Sequence, residues 1–204
     1  VRAELKLFLW LTLGFFLCVP TGTFTHECGH YLALRMMGCP AVISYNFTTW
    51  NCDLSPGQEM VAAFAGPLVT MLTATSGFIL LMLGPKYPLN EERLSTGQWI
   101  LALAALFWTR PLLNMCGWIL QTVTRGSFMN QSDELKLSHL LGLPAWSLPL
   151  LTAAIGLAVT VLIFFRVIPA RSRLIFLLAG LCGGMLGILT WMKWLGPVLL
   201  PAAD

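Results

Sequence analysis

His26, Glu27 and His30 stand in a His-Glu-x-x-His arrangement at the end of the first long apolar stretch. On a helix, side chains four positions apart share a face, so both imidazoles can reach one metal ion. The Glu27 carboxylate then lies beside that ion, where it can take a proton from zinc-bound water. The surroundings sharpen this reading. Ionisable side chains are costly inside a membrane and are functional there by default. The structural alternative is two polar residues packed within a helical bundle.

The elements that must position these residues follow from the composition. The chain has 204 residues, is 57% hydrophobic and only 10% charged. Its mean hydropathy is +0.77, far from that of a water-soluble domain. Apolar runs of about 20 residues read as membrane-spanning helices. The expectation is an all-α polytopic membrane protein in a lipid bilayer. It has about five transmembrane helices and a small strand excursion at the surface after the first.

The first span is expected over 5–37, kinked where Pro20 and Gly22 interrupt it, and ended by Gly38 and Pro40. Arg2, Glu4 and Lys6 give this run a charged flank that a signal peptide could share. It leads directly into the metal motif, however, and is read as a retained span. Residues 41–52 are rich in β-branched and aromatic residues and suggest one or two short strands. Further spans are expected over 58–83, 97–123, 145–166 and 173–194, with polar segments at 84–96 and 125–144. Ser132 reads as the N-cap of a short helix that ends at Gly142-Leu143-Pro144. Gly180, Gly183, Gly184 and Gly187 give the last span a small-residue face for close packing. Tryptophans 99, 108, 118, 146, 191 and 194 read as interfacial anchors.

The net charge is +3 with scattered basic residues, so nucleic acid is not an expected partner. None of the six cysteines forms a Cys-x-x-Cys pair, which argues against a zinc ribbon. Cys39 and Cys52 flank one loop and would pair if it faces an oxidising compartment. With five spans, Arg2, Lys6, Lys86, Arg93, Arg166, Arg171 and Arg173 share one side. Arg35, Arg125, Lys136 and Lys193 fall on the other. The positive-inside rule then favours a cytoplasmic N-terminus. Asn46-Phe47-Thr48 and Asn130-Gln131-Ser132 are glycosylation-type sequons on the opposite side, a pattern that often arises by chance.

A catalytic zinc usually has three protein ligands and an open fourth position. The motif supplies two. The third must be another His, Asp, Glu or Cys. Asp133 stands out because it opens a helix immediately after the third span. A plain helix-start acid, stabilised by the helix dipole, is the alternative for that residue. His139 and Glu134 are the other candidates. Arg110 is charged within an apolar span and needs a partner: Glu59, Asp133 or a substrate carbonyl. Asn114 would either hydrogen-bond substrate or pack between helices.

Three segments, in order, resemble the site-2 protease family of intramembrane zinc metalloproteases. His26-Glu27-Cys28-Gly29-His30 followed by Tyr31-Leu32-Ala33 is similar to its first motif. Ala63-Phe64-Ala65-Gly66-Pro67-Leu68 is similar to its Ala-Gly-Pro segment. The stretch from Ser132-Asp133-Glu134 to Leu141-Gly142 resembles its Asp-Gly segment, although Glu134 stands where the family has Gly. The family's Asn-x-x-Pro element also differs: Arg110-Pro111 and Asn114 occur in another order and farther upstream. The resemblance covers roughly residues 5–144. It implies a membrane core over 1–144, with 145–204 adding two helices to the same domain. It further implies Zn²⁺ held by His26, His30 and Asp133, with Glu27 as general base. Gly66 and Pro67 would shape the site, where they could otherwise serve only close helix packing. Arg110 and Asn114 are candidate substrate contacts on their own residue chemistry, with a structural ion pair the alternative for Arg110.

The activity so implied is hydrolysis of a peptide bond in or near a membrane-spanning segment of a protein substrate. Strands within 41–52 would pair with the locally unwound substrate. Two alternatives remain at this level. One is a catalytically silent relative serving as a subunit of a membrane complex, since no substrate-selecting domain accompanies the spans. The other is a metal-binding transporter or oxidoreductase subunit. Family habit puts the metal near the cytosolic side, whereas the charge bias puts it on the other.

Overall fold

The computed structural model describes residues 2–84, 94–126 and 132–201. Lys86, Glu91, Glu92, Arg93, Asn130, Gln131 and Asp204 lie outside the described residues, as does the Arg125 side chain. Five helical stretches are long and apolar enough to cross a bilayer: Arg2–Met36, Pro56–Leu83, Thr96–Thr124, Ser147–Val167 and Ala170–Leu199. The protein is an all-α, multi-pass membrane protein with one small hairpin. Its outward-facing leucines, such as Leu13 and Leu17, are exposed as a lipid-facing surface requires.

Helix α1, Arg2–Met36, runs unbroken through Pro20 and Gly22. Pro20 has no N–H to give the Phe16 carbonyl. Gly187 packs on that oxygen so closely that a Cβ there would sit 2.8 Å from it. Gly187 belongs to α7, Arg173–Thr190, which lies along α1. Gly183, one turn earlier, meets the Thr12 carbonyl, and Gly180 meets the Phe15 ring. Gly184 faces no neighbour within 4 Å, so it drops out of the expected packing face.

Gly38, at φ 78°, ends α1. Strands β1, Ala41–Ile43, and β2, Thr48–Trp50, then pair antiparallel with Ile43 opposite Thr48. Cys39 and Cys52 close this excursion with a disulfide. Helix α2, Pro56–Leu83, starts at a reciprocal capping box between Ser55 and Gln58.

The third span is not one continuous α-helix. Helices α3, Thr96–Ala105, and α4, Thr109–Arg125, flank a 3-10 turn at Leu106–Trp108. Pro111 explains the break, because its ring excludes the carbonyl four residues back and it lacks an N–H. Thr109 Oγ1 donates to the Leu106 carbonyl at 2.6 Å across the same turn.

Helix α5, Asp133–Leu140, packs on α2 and on α6, Ser147–Leu162. A π turn, Ile163–Val167, completes that fourth span. After α7, a second π turn, Trp191–Leu195, leads into α8, Gly196–Leu199.

Two tryptophans are core residues rather than interfacial anchors. Trp99 stacks on Phe176 in the cluster that includes Leu11 and Ile163. Trp191 is buried and donates its indole N–H to the Tyr45 carbonyl at 2.8 Å. The Tyr45 N–H in turn donates to the Leu200 carbonyl at 3.0 Å. The hairpin is therefore held by the far end of the chain as well as by its disulfide.

Candidate metal centre

Position 26 to 30 of α1 turns both histidines inward, and His26, Glu27 and His30 are all buried. The Ser132 side chain accepts from the Leu135 N–H at 3.3 Å and caps α5, which makes Asp133 its first helical residue. The two elements bring three ligand atoms together. His26 Nε2 lies 2.9 Å from Asp133 Oδ2 and 3.1 Å from His30 Nε2. His30 Nε2 lies 3.3 Å from the same carboxylate oxygen.

The opposite ring nitrogens decide what these contacts mean. His30 Nδ1 lies 2.7 Å from the Ala62 carbonyl, which can only accept, so Nδ1 carries the proton. His26 Nδ1 lies 3.0 Å from Thr70 Oγ1. When the Thr70 hydroxyl donates to the Gly66 carbonyl, at 3.2 Å, its oxygen is free to accept from His26. As neutral Nδ1–H imidazoles, both rings would turn Nε2 lone pairs toward the Asp133 carboxylate. A cation held between these three atoms would satisfy all of them.

A tetrahedral ion with bonds of about 2.0–2.1 Å sets its ligand atoms about 3.3 Å apart. The observed separations, 2.9 to 3.3 Å, need only a small expansion to fit. His26, His30 and Asp133 form the one potential metal-binding group of this kind among the described residues. Burial by itself would raise the Asp133 carboxyl. Hydrogen bonds donated by His26 and His30, in the absence of an ion, outweigh that and hold it below the usual carboxylate range.

Glu27 is oriented from the hairpin. Thr48 Oγ1 lies 3.0 Å from Glu27 Oε2 and 3.1 Å from the Glu27 carbonyl oxygen. Arg110 is half-buried beside the site, and its charge interacts with Glu27, Asp133 and Glu134. Its guanidinium Nη1 donates to the Gly22 carbonyl at 3.2 Å. Glu59, one of the partners expected for Arg110, instead pairs with Lys136 at 2.9 Å.

The centre opens into a cleft of about 410 Å³. His26, Glu27, His30 and Asp133 line it together with Arg110 and Asn114. Gly66 and Pro67 lie behind the histidines instead. A Cβ on Gly66 would collide with His30 Nε2 and come within 2.7 Å of the two adjacent ring carbons. Gly29 and Gly66 mark where α1 and α2 cross, since a Cβ on Gly29 would sit 3.0 Å from Gly66 Cα. Pro67 borders a small pocket with Thr70, Arg110 and Glu134. Glu134 is buried there, and burial raises its carboxyl above the usual range. His139 is exposed and stands outside the metal group.

Comparison with protein-family models, with curated proteins and with solved structures gives no match.

Sequence reasoning missed Thr48, Thr70 and the Ala62 carbonyl. A threonine one helical turn after Gly66, within an apolar span, was a signal for Thr70. Thr48 was legible only as part of a sequon, and a carbonyl leaves no trace in the sequence.

Proposed function

We propose that this chain is an intramembrane zinc metalloprotease of the site-2 protease type. It would hydrolyse a peptide bond in or near a membrane-spanning segment of a protein substrate. The observation that carries this reading is the convergence of two imidazoles and a carboxylate beside a separately anchored glutamate. The nitrogen and oxygen donor set suits zinc and leaves room for an open fourth position. When bound, zinc supplies Lewis acidity and a lowered water pKa at this place.

The chain's own residues would do the rest. Thr48 occupies Glu27 Oε2, which leaves Oε1 to accept the proton of the attacking water. Glu27 then returns that proton to the leaving amine. Arg110 and Asn114, one turn apart on the cleft wall, offer donors to the substrate carbonyl. The substrate must unwind locally, because a helix engages its own carbonyls.

The metal-bearing end is assigned to the non-cytoplasmic side. The Cys39–Cys52 disulfide supports this, since such bonds persist in oxidising compartments. The basic residues concentrated at the other end support it independently. This orientation departs from the family's habit. A catalytically silent subunit is the second reading, favoured by the departures from the family pattern at Glu134 and around Asn114.

Zinc analysis of detergent-purified protein beside a His26→Ala variant tests the centre. Near-stoichiometric zinc that vanishes in the variant is the expected result. No zinc in either, with the fold intact and no chelator used, would overturn it. Cleavage of a co-expressed membrane substrate that stops in Glu27→Gln, with zinc retained, separates the enzyme from the silent subunit.

A further inference from the structure

Ala62, Gly66 and Thr70 recur every four residues on α2, so they form one stripe along the face turned to α1. Each does something different to the two imidazoles. The Ala62 carbonyl takes the Nδ1 proton of His30 at 2.7 Å. Gly66, lacking a Cβ, leaves the space in which the His30 Nε2 edge lies. Its carbonyl also accepts the Thr70 hydroxyl proton at 3.2 Å. With its proton so placed, the Thr70 oxygen, 3.0 Å from His26 Nδ1, can accept from that nitrogen. Thr70 is itself buried, only 4% exposed.

We infer that the Ala62–Gly66–Thr70 stripe is the positioning half of the metal centre, fixing both histidines as Nδ1–H tautomers with Nε2 turned to the ion. This rests on the metal reading of His26, His30 and Asp133. The physical basis is general: a ligating imidazole is oriented, and its basicity set, by what its other nitrogen donates to. Here a single helix supplies both acceptors, and a hydroxyl relays between two of the three positions. Thr70 is thus a residue that touches no substrate yet decides whether His26 offers a lone pair or a proton. A valine at 70 keeps the volume but removes the acceptor. His26 would then be free to flip or to take the other tautomer, and its Nε2 would point a proton at the ion.

The test uses the full-length protein in detergent, with zinc affinity read by competition against a chromophoric chelator. The cobalt(II) absorption spectrum is recorded in parallel. Thr70→Val should weaken zinc about 10- to 100-fold and alter the cobalt bands. Thr70→Ser, which keeps the hydroxyl, should stay near wild type in both. Wild-type affinity in Thr70→Val would overturn the inference while leaving the metal centre standing. Equal loss in the valine and serine variants would also overturn it, because the hydroxyl would not be the cause. A wild-type protein that binds no zinc would remove the metal reading and the inference together.

Discussion

Thr48 Oγ1 lies 3.0 Å from Glu27 Oε2 and 3.1 Å from the Glu27 carbonyl oxygen, so one hydroxyl proton ties the hairpin to the glutamate of the metal motif. Thr48→Val removes that tie without touching a metal ligand. Zinc content should be unchanged, while turnover falls about 10- to 100-fold through misorientation of the carboxylate. Thr48→Ser should recover most of it. Parallel zinc analysis and cleavage assays check both halves of the prediction.

Glu27 itself should separate binding from chemistry. Glu27→Gln keeps the shape and the Thr48 contact but cannot accept a proton. Zinc should remain near stoichiometric and cleavage should fall about 10²- to 10⁴-fold. A fall in cleavage accompanied by loss of zinc would instead assign Glu27 to the ligand set.

The third ligand is tested by contrast within α5. Asp133→Ala removes the oxygen that lies 2.9 and 3.3 Å from the two imidazoles. It should weaken zinc by at least about 10-fold. His139→Ala, at an exposed position on the same helix, should leave affinity unaltered. Chelator competition on both variants decides between them, and tight zinc in Asp133→Ala would return the third position to an open question.

The Cys39–Cys52 link encloses the segment that carries Thr48, with a sequence separation of 13. A loop of that size is worth about 3 kcal/mol in the chain-entropy account. The Cys39→Ser/Cys52→Ser variant should therefore melt earlier in detergent. Without reductant, neither thiol of the wild-type protein should react with a maleimide. Ready labelling of both in intact cells would contradict the assigned orientation.

Lys136 pairs with Glu59 at 2.9 Å and sits over the Trp50 ring at 5.2 Å, which links α5, α2 and the hairpin across the cleft mouth. Both charged groups are more than a third solvent-exposed. Glu59→Gln should cost no more than about 1 kcal/mol, measured as a shift in thermal denaturation.

Much of this was legible in the sequence for identifiable reasons. Helical spacing brings His26 and His30 to one face, and the Ser132-Asp133 pair marks a helix start whatever the tertiary context. Apolar length located all five spans. The break at Leu106–Trp108 was not anticipated, because the run of hydropathy continues across it and only Pro111 signals it. Trp99 and Trp191 were misassigned to the interface, since position near a span end does not show which way a ring faces. The α2 stripe was half visible. Gly66 belonged to a suggestive segment, but the roles of Ala62 and Thr70 depend on how α2 crosses α1. Nothing within either helix alone encodes that crossing.

His26 and Asp133 are 107 residues apart in the chain. At about 5–20 residues per second of synthesis, roughly 5 to 20 s pass between the appearance of the first ligand and the last. Ala62, Gly66 and Thr70 emerge well inside that interval. The two histidines can thus acquire their tautomers as soon as the first two spans meet in the bilayer, before any carboxylate arrives. Newly made protein would pass through a stage in which the two imidazoles already face one another, and α5 would close the site last.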